Sequence, residues 1–465
     1  MDGVLKRSFK NFKYVFSSQL LVLLLSFIKS LFIPMILTVQ GFGFWQIYLF
    51  YASYVGIFAL GFNDGIYLRY GDYQYEKLPH TRLKIAIQIH SIVIFLFFII
   101  ALIFSSLIND PNKQFSMIFV SINIFVLGLN GVFIYVMQIT NQMKKYSFFV
   151  IFPQIIFVLG TFGMILFRNI NFEILIIIDL FAKVVTVIGM MLYCKELWFG
   201  RITGLREGLE EYKANVSVGI QLMLAQLMGM LVTGIGRIIV EFFGNIEDYS
   251  YYSLGITITN LVLVLISSIS MLAYPTLKRL NDKNYPFYYE KINTFLQSFS
   301  IIVPVLYFLS SLLIFMYLPK YLPVLKYLNI LFGVIILQAK MQLLNNTFYK
   351  VLRKETEMMK ANISSVLLFT VMAVIAFPLT ESVMSIAVCT LIVMAYRCYS
   401  TEVYLRRILK LKNYKGIVFE ALYIFLFSIL TFLLNMKISF ILYFCFLVIM
   451  VYKNRSLLNR IFKRV

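Results

Sequence analysis

The chain has 465 residues, 61% of them hydrophobic and only 14% charged, with a mean hydropathy of +0.85. A soluble domain of this length needs far more polar surface, so the composition excludes a water-soluble enzyme or binding module. The formal net charge of +21 suggests nucleic acid at first sight, but the placing of the lysines and arginines assigns it to membrane topology instead.

The apolar residues come in runs of about twenty, the length that crosses a hydrocarbon core as a helix. In chain order the predicted spans are 14–38, 43–66, 84–108, 115–140, 147–167 and 172–194, then 214–240, 249–273, 291–317 and 323–348, and finally 361–379, 382–405, 416–434 and 438–452. The first run carries Lys29 and Pro34 and lacks a small-residue cleavage site, so it reads as a span and not as a signal peptide. The predicted fold is an all-α polytopic membrane protein with about fourteen transmembrane helices.

Of the 42 lysines and arginines, 32 fall in the two ends and the even-numbered loops. Only Lys113, Arg168, Lys320 and Lys437 fall in the odd-numbered loops, and Lys29, Lys183, Arg237, Lys326, Lys340 and Arg397 lie inside spans. The positive-inside rule then puts both termini in the cytoplasm of a bacterial inner membrane, with the basic loops against lipid headgroups and no nucleic acid involved. The outward loops are short, so no separate external domain is expected.

The spans also suggest two parallel repeats. Lys29 and Arg237 are 208 residues apart, Lys183 and Arg397 are 214 apart, and Met143-Lys144-Lys145 lies 209 residues before Leu352-Arg353-Lys354. The expected organisation is a six-helix lobe over 1–195, a cytoplasmic amphipathic linker over 196–213, a second six-helix lobe over 214–408, and two extra helices with a basic tail over 409–465.

Cys194, Cys389, Cys398 and Cys445 show no CxxC spacing and sit in or beside apolar runs, as packed small hydrophobes do. His80 and His90 alone offer neither a metal site nor a Ser-His-Asp triad, and no GxxxxGK[ST] occurs. No catalytic residue, metal or cofactor is expected, and the chain is not read as an enzyme.

Ionisable groups within spans are costly and therefore functional candidates. Lys29, Arg237, Arg397, Lys183 and Lys340 form the candidate cationic set, although Lys326, near the outer end of its span, reads as a snorkelling side chain. Asp179 and Lys183 stand four apart, acid first, as a mutually neutralised helical pair. Neutral polar residues make stripes: Asn123 and Asn130 in span four, Gln226 in span seven, and Gln338, Gln342 and Asn345 in span ten. Such stripes hold helices together or line an aqueous cavity.

The stretch Leu60-Gly61-Phe62-Asn63-Asp64-Gly65-Ile66-Tyr67-Leu68-Arg69-Tyr70-Gly71 resembles the "LG-(S/N)-DG-IYLRYG" segment of Wzx-type polysaccharide flippases. Gly236-Arg237-Ile238-Ile239-Val240-Glu241-Phe242-Phe243-Gly244, followed by Tyr251 or Tyr252, is similar to that family's span-seven segment, and Leu318-Pro319-Lys320-Tyr321-Leu322 to its approach to span ten. The acid that commonly precedes the span-seven arginine is Gly236 here, so its coupling role does not carry over. The resemblance covers essentially the whole chain. It implies a MATE-like fold of the MOP exporter superfamily, with polyprenyl-diphosphate-linked oligosaccharide carried from the inner to the outer leaflet for surface polysaccharide biosynthesis.

On that reading the two lobes rock around a cationic central cavity, Asp64 and Asp179 serve coupling or structure, and a polymerase and glycosyltransferases of the same pathway are partners. The rivals are a MATE-like small-molecule exporter, a polytopic polymerase or glycosyltransferase, and a lipid scramblase. Cationic drugs call for an acidic cavity, and a polymerase for a large external loop; this sequence offers neither.

Overall fold

The computed structural model describes residues 2–71, 73–166, 170–200, 204–278 and 281–453; side chains are described outside 2–16, 446–453, position 415 and several positions between 265 and 276. The tails beyond these bounds, Arg168 and Arg201 of the charge pattern lie outside the described residues. Every regular element among the described residues is helical.

Fourteen principal helices occupy the fourteen predicted places. They are α1 (Asp2–Ile36), α2 (Val39–Tyr54), α3 (His80–Ser106), α4 (Pro111–Ile139), α5 (Met143–Leu166), α6 (Phe172–Tyr193) and α7 (Leu205–Phe243), then α8 (Ile246–Lys278), α9 (Tyr285–Tyr317), α10 (Leu325–Lys340), α11 (Glu355–Thr380), α12 (Val383–Ile408), α13 (Lys415–Leu433) and α14 (Met436–Lys453). Among the described residues, twelve stretches are long and apolar enough to cross a membrane; α8 and α14 are the two predicted spans outside that set.

Four of the helices that start at the predicted outward loops use side-chain caps. Thr38 accepts from Gly41 N, Asp110 from Asn112 N and Lys113 N, Asn171 from Glu173 N, and Ser382 from Met384 N. A loop of a few residues has no backbone to spare, so these oxygens satisfy the first free N–H groups.

Two predicted spans are not continuous α-helices. Span two breaks after α2 into a 3₁₀ turn (Val55–Ala59), turns at Leu60 and Gly61 in the left-handed region, and resumes as a short helix, Phe62–Arg69. Span ten continues past Lys340 through a π turn (Met341–Asn345) into Asn346–Val351.

The chain divides into two compact units, 1–234 and 235–465, with the division inside α7. Residues 205–213, expected to lie in a linker, are the first turns of that one helix. In unit 1, α4 is central and packs on α2, α3, α5 and α6; in unit 2, α10 packs in the same manner on α8, α9 and α12, and also on α13. Three cysteines are free and buried, and Cys445 is free and exposed.

The Phe62–Arg69 helix is the core of unit 1 near the predicted cytoplasmic end. Phe62 and Ile66 are fully buried among Ile87, Phe133, Met190 and Cys194. Its other side lies directly on α7. A Cβ at Gly65 would stand 2.0 Å from the Asn215 carbonyl oxygen, and one at Gly61 2.4 Å from Ile220 N. Only glycine permits that backbone-to-backbone approach, and Gly61 (φ +78°) also needs the left-handed conformation. Arg69 then reaches Glu211 at 2.5 Å and Asn215 at 2.8 Å, and Tyr70 donates to Glu211 at 2.7 Å. Burial and this carboxylate push the Tyr70 phenol well above its usual range. The motif that carried the resemblance is thus, physically, a device for docking one helix onto another.

Candidate functional site

In unit 1 the polar residues of three helices meet. Lys183 and Asp179 of α6 pair at 2.5 Å. The Tyr48 hydroxyl of α2 donates to Asp179 at 2.7 Å and accepts from Asn123 of α4 at 2.9 Å, while Lys183 donates to Asn123 Oδ1 at 3.2 Å. Each side chain in this ring is paired, the arrangement a low-dielectric interior demands. If the pair is structural, exchanging the two charges should restore most of the folded protein and activity lost by either single substitution, as read from membrane abundance and export. A swap that folds and stays inactive removes that role.

Lys29 lies near this ring, within electrostatic reach of Asp179 and Lys183. Its amine donates to Gln154 Oε1 of α5 at 2.5 Å and lies 3.9 Å from the centre of the Phe157 ring. Beside it, Ile28, Phe32, Ile33, Val158 and Thr161 line a cavity of about 150 Å³. Both polar contacts are neutral, so its positive charge is not cancelled by an ion pair. Asn130 is half-buried on α4.

Unit 2 holds two contrasting cations. Arg397 of α12 is 4% exposed and donates through Nε and Nη2 to one oxygen, Asn362 Oδ1 of α11, at 3.0 and 2.6 Å. Its partner too is a neutral amide. Lys340, 1% exposed, pairs with Glu402 of α12 at 2.6 Å and with Glu420 of α13. Arg406 extends the chain of charges, reaching Glu402 at 2.8 Å and Glu290 of α9 at 2.7 Å. Lys340, expected among the cavity cations, is enclosed by acids.

Arg237 is half-buried on α7. The preceding Gly236 has no room for a side chain: a Cβ there would meet the Tyr252 hydroxyl at 2.6 Å and Ile386 at 3.2 Å. That hydroxyl shares a hydrogen bond with Thr390 at 3.2 Å and fills the space that a side chain at 236 would take.

Gln338, Gln342 and Asn345 fall at successive spacings of four and three, and the side-chain oxygen of each is buried without a hydrogen-bond partner. They flank and occupy the π turn, a distortion frequent at functional sites. Gln226 donates to Asp64 at 3.3 Å within unit 1. The residues missed by sequence reading are Gln154, Asn362, Glu402 and Glu420. For the last two a signal existed, since each is an acid inside a predicted span.

Many membrane-length helices, a doubled packing scheme and buried charges define a polytopic membrane protein of the fold shared by lipid flippases and MATE transporters. The structure titled "Lipid II flippase MurJ, inward closed conformation" matches over 97% of this chain and 100% of that one, with TM-score 0.62 and 14% identity. An inward-facing multidrug resistance MATE family transporter of the MOP superfamily matches over 82% of this chain and 98% of its own, at TM-score 0.53 and 15% identity. An outward-facing one matches over 84% and 93%, at 0.52 and 12%. At such identities the likeness is one of fold. Among curated protein sequences nothing matches. Residues 8–281, more than half of the chain, match the family described as "Polysaccharide biosynthesis protein", and the chain belongs to that family.

Proposed function

We propose that this protein carries a polyprenyl-diphosphate-linked oligosaccharide from the inner to the outer leaflet of a bacterial cytoplasmic membrane by alternating access, without catalysing a reaction on it. The observation that carries the reading is the pair Lys29 and Arg397, two cations inside membrane helices held by neutral amides. A buried charge without a counter-charge is costly, and an anionic diphosphate supplies one. Family membership gives the polysaccharide, and the fold match, which extends over nearly the whole chain, is to a protein titled a lipid flippase. Arg237 joins the two cations in this reading, while Lys340 and Lys183 hold helices together. The unpartnered amide oxygens of Gln338, Gln342 and Asn345 suit sugar hydroxyls, which donate to them.

The test is expression in a bacterium lacking its own flippase for the matching glycan. Restored surface polysaccharide supports the proposal; normal membrane abundance with lipid-linked glycan trapped on the inner leaflet sinks it. Both termini are proposed to be cytoplasmic. Reporter fusions after Lys213 and Lys412 should read as internal, and those after Phe243 and Lys437 as external; one reversal overturns the orientation.

A further inference from the structure

Unit 1 contains a second polar pocket, of about 300 Å³, between α2, the Phe62–Arg69 helix, α4 and α7. Its polar lining is Ser53, Tyr54, Asn63, Asp64, Tyr135 and Gln226, with no lysine, arginine or histidine. Among the described residues no cation pairs with Asp64; its carboxylate takes hydrogen bonds from the neutral Gln226 amide, at 3.3 Å, and from the Tyr135 hydroxyl. A negative charge with no base beside it repels a diphosphate, so the anionic end of the substrate proposed above is not what this pocket fits.

The pocket offers more acceptors than donors. Ser53 donates to the Phe50 carbonyl at 2.6 Å and Tyr54 to that of Met230 at 3.0 Å, so both hydroxyl hydrogens are turned onto backbone. The Asn63 amide nitrogen faces the Gly128 carbonyl at 3.4 Å, packed against α4 where Gly131 leaves it room, and Asn63 Oδ1 is buried with no partner. A ligand that fits must therefore bring several hydrogen-bond donors of its own. A sugar does so through its hydroxyls. Ile134, Met223 and Met230, with the rings of Tyr54 and Tyr135, give an apolar wall for the C–H faces of a sugar ring. The volume is about twice the roughly 150 Å³ of a cavity that takes up benzene, which leaves room for one such ring.

We propose that this pocket reads one sugar of the lipid-linked glycan, with Asp64 and the Asn63 carbonyl accepting from its hydroxyls and Gln226 donating its remaining N–H. The inference deepens the export reading above and rests on it. Affinity for the lipid anion then lies with Lys29, and discrimination among glycans with Asp64 and Asn63. A site built to hydrogen-bond hydroxyls rejects a substrate that lacks them, because its buried acceptors stay unpaired.

The experiment measures equilibrium binding of two probes to the purified full-length protein in detergent micelles. One is bare polyprenyl diphosphate; the other is the lipid-linked repeat unit extracted from membranes of the native host. The parent should bind the glycan-bearing lipid about tenfold or more tightly than the bare one. Asn63→Ala and Asp64→Asn should each remove most of that preference, with the affinity for bare diphosphate changed by no more than about twofold. Lys29→Ala should weaken both probes alike. Size-exclusion profiles compare the folding of the variants with the parent, and if Asp64→Asn does not fold, Asn63→Ala decides. Equal binding of the two probes by the parent, or an unchanged preference in a folded pocket variant, overturns this inference and leaves the export reading standing. Binding of neither probe overturns both.

Discussion

Lys29→Ala should abolish polysaccharide export while the protein reaches the membrane in normal amount. The contacts of Lys29 are one neutral amide and an aromatic face. Removing it therefore leaves no carboxylate stranded, only a Gln154 oxygen that has lost a donor, at about 1–3 kcal/mol. The substrate loses more: truncating one member of a desolvated charge pair costs about 2–5 kcal/mol of binding, a tenfold loss for each 1.4 kcal/mol. Lys29→Arg keeps the charge with an altered reach, so partial export is expected. Arg237→Ala should behave like Lys29→Ala, and Arg237→Lys should retain less than Lys29→Arg, because a guanidinium grips phosphate through two bonds and an ammonium through one point charge. The measurement is surface glycan per unit of membrane protein in a flippase-null strain. Full export by the Lys29→Ala, Arg237→Ala double variant would mean that these cations only anchor helices.

The opposite outcome is expected at Lys340. Lys340→Met should destabilise the protein by about 3–5 kcal/mol, because Glu402 and Glu420 are left facing each other where water cannot enter. Glu420→Gln alone should be much milder, since Lys340 still pairs with Glu402. The double variant Lys340→Met, Glu420→Gln should recover most of the loss, because Glu402 keeps Arg406 at 2.8 Å. Thermal unfolding of the purified proteins and their abundance in membranes give the ranking. A Lys340→Met protein that melts with the parent would show that the three charges do not hold one another. The two lysines are thus separable: one removes function with little loss of fold, the other removes the fold itself.

The positions of the helices were legible because a bilayer writes its thickness into the chain as apolar runs, and because short outward loops leave room for little except a cap. The interruptions were less legible. The pattern around Val55–Ala59 is that of an apolar span, and the polar residues around Met341–Asn345 keep a helical spacing, yet Leu60 and Gly61 turn the chain and a π turn follows Lys340. The Asp179–Lys183 pair was legible at helical spacing. The partners of Lys29, Arg397 and Lys340 were not, since Gln154, Asn362, Glu402 and Glu420 lie from 35 to 125 residues away in sequence. Only packing brings them together, and one sequence carries no record of which stripe meets which. The acids inside spans twelve and thirteen were the readable half of that answer: an acid within a span calls for a base beside it.

The charges around Lys340 also set an order of assembly. As the chain is threaded into the bilayer, α10 delivers Lys340 before either of its acids exists in the membrane. Glu402 follows with α12, and Glu420 arrives last with α13, 80 residues after the lysine. Arg406 and Glu290 can close their side of the chain of charges as soon as α12 is in place. The late hairpin of α13 and α14 therefore brings in a negative charge that only the already inserted helices can accommodate. It would be rejected by hydrocarbon unless α10 were waiting with its lysine. A translation arrest placed before residue 415 leaves the lysine with one acid, while one placed after residue 433 completes the set. The final hairpin thereby completes the pairing of a lysine that lies 80 residues earlier in the chain.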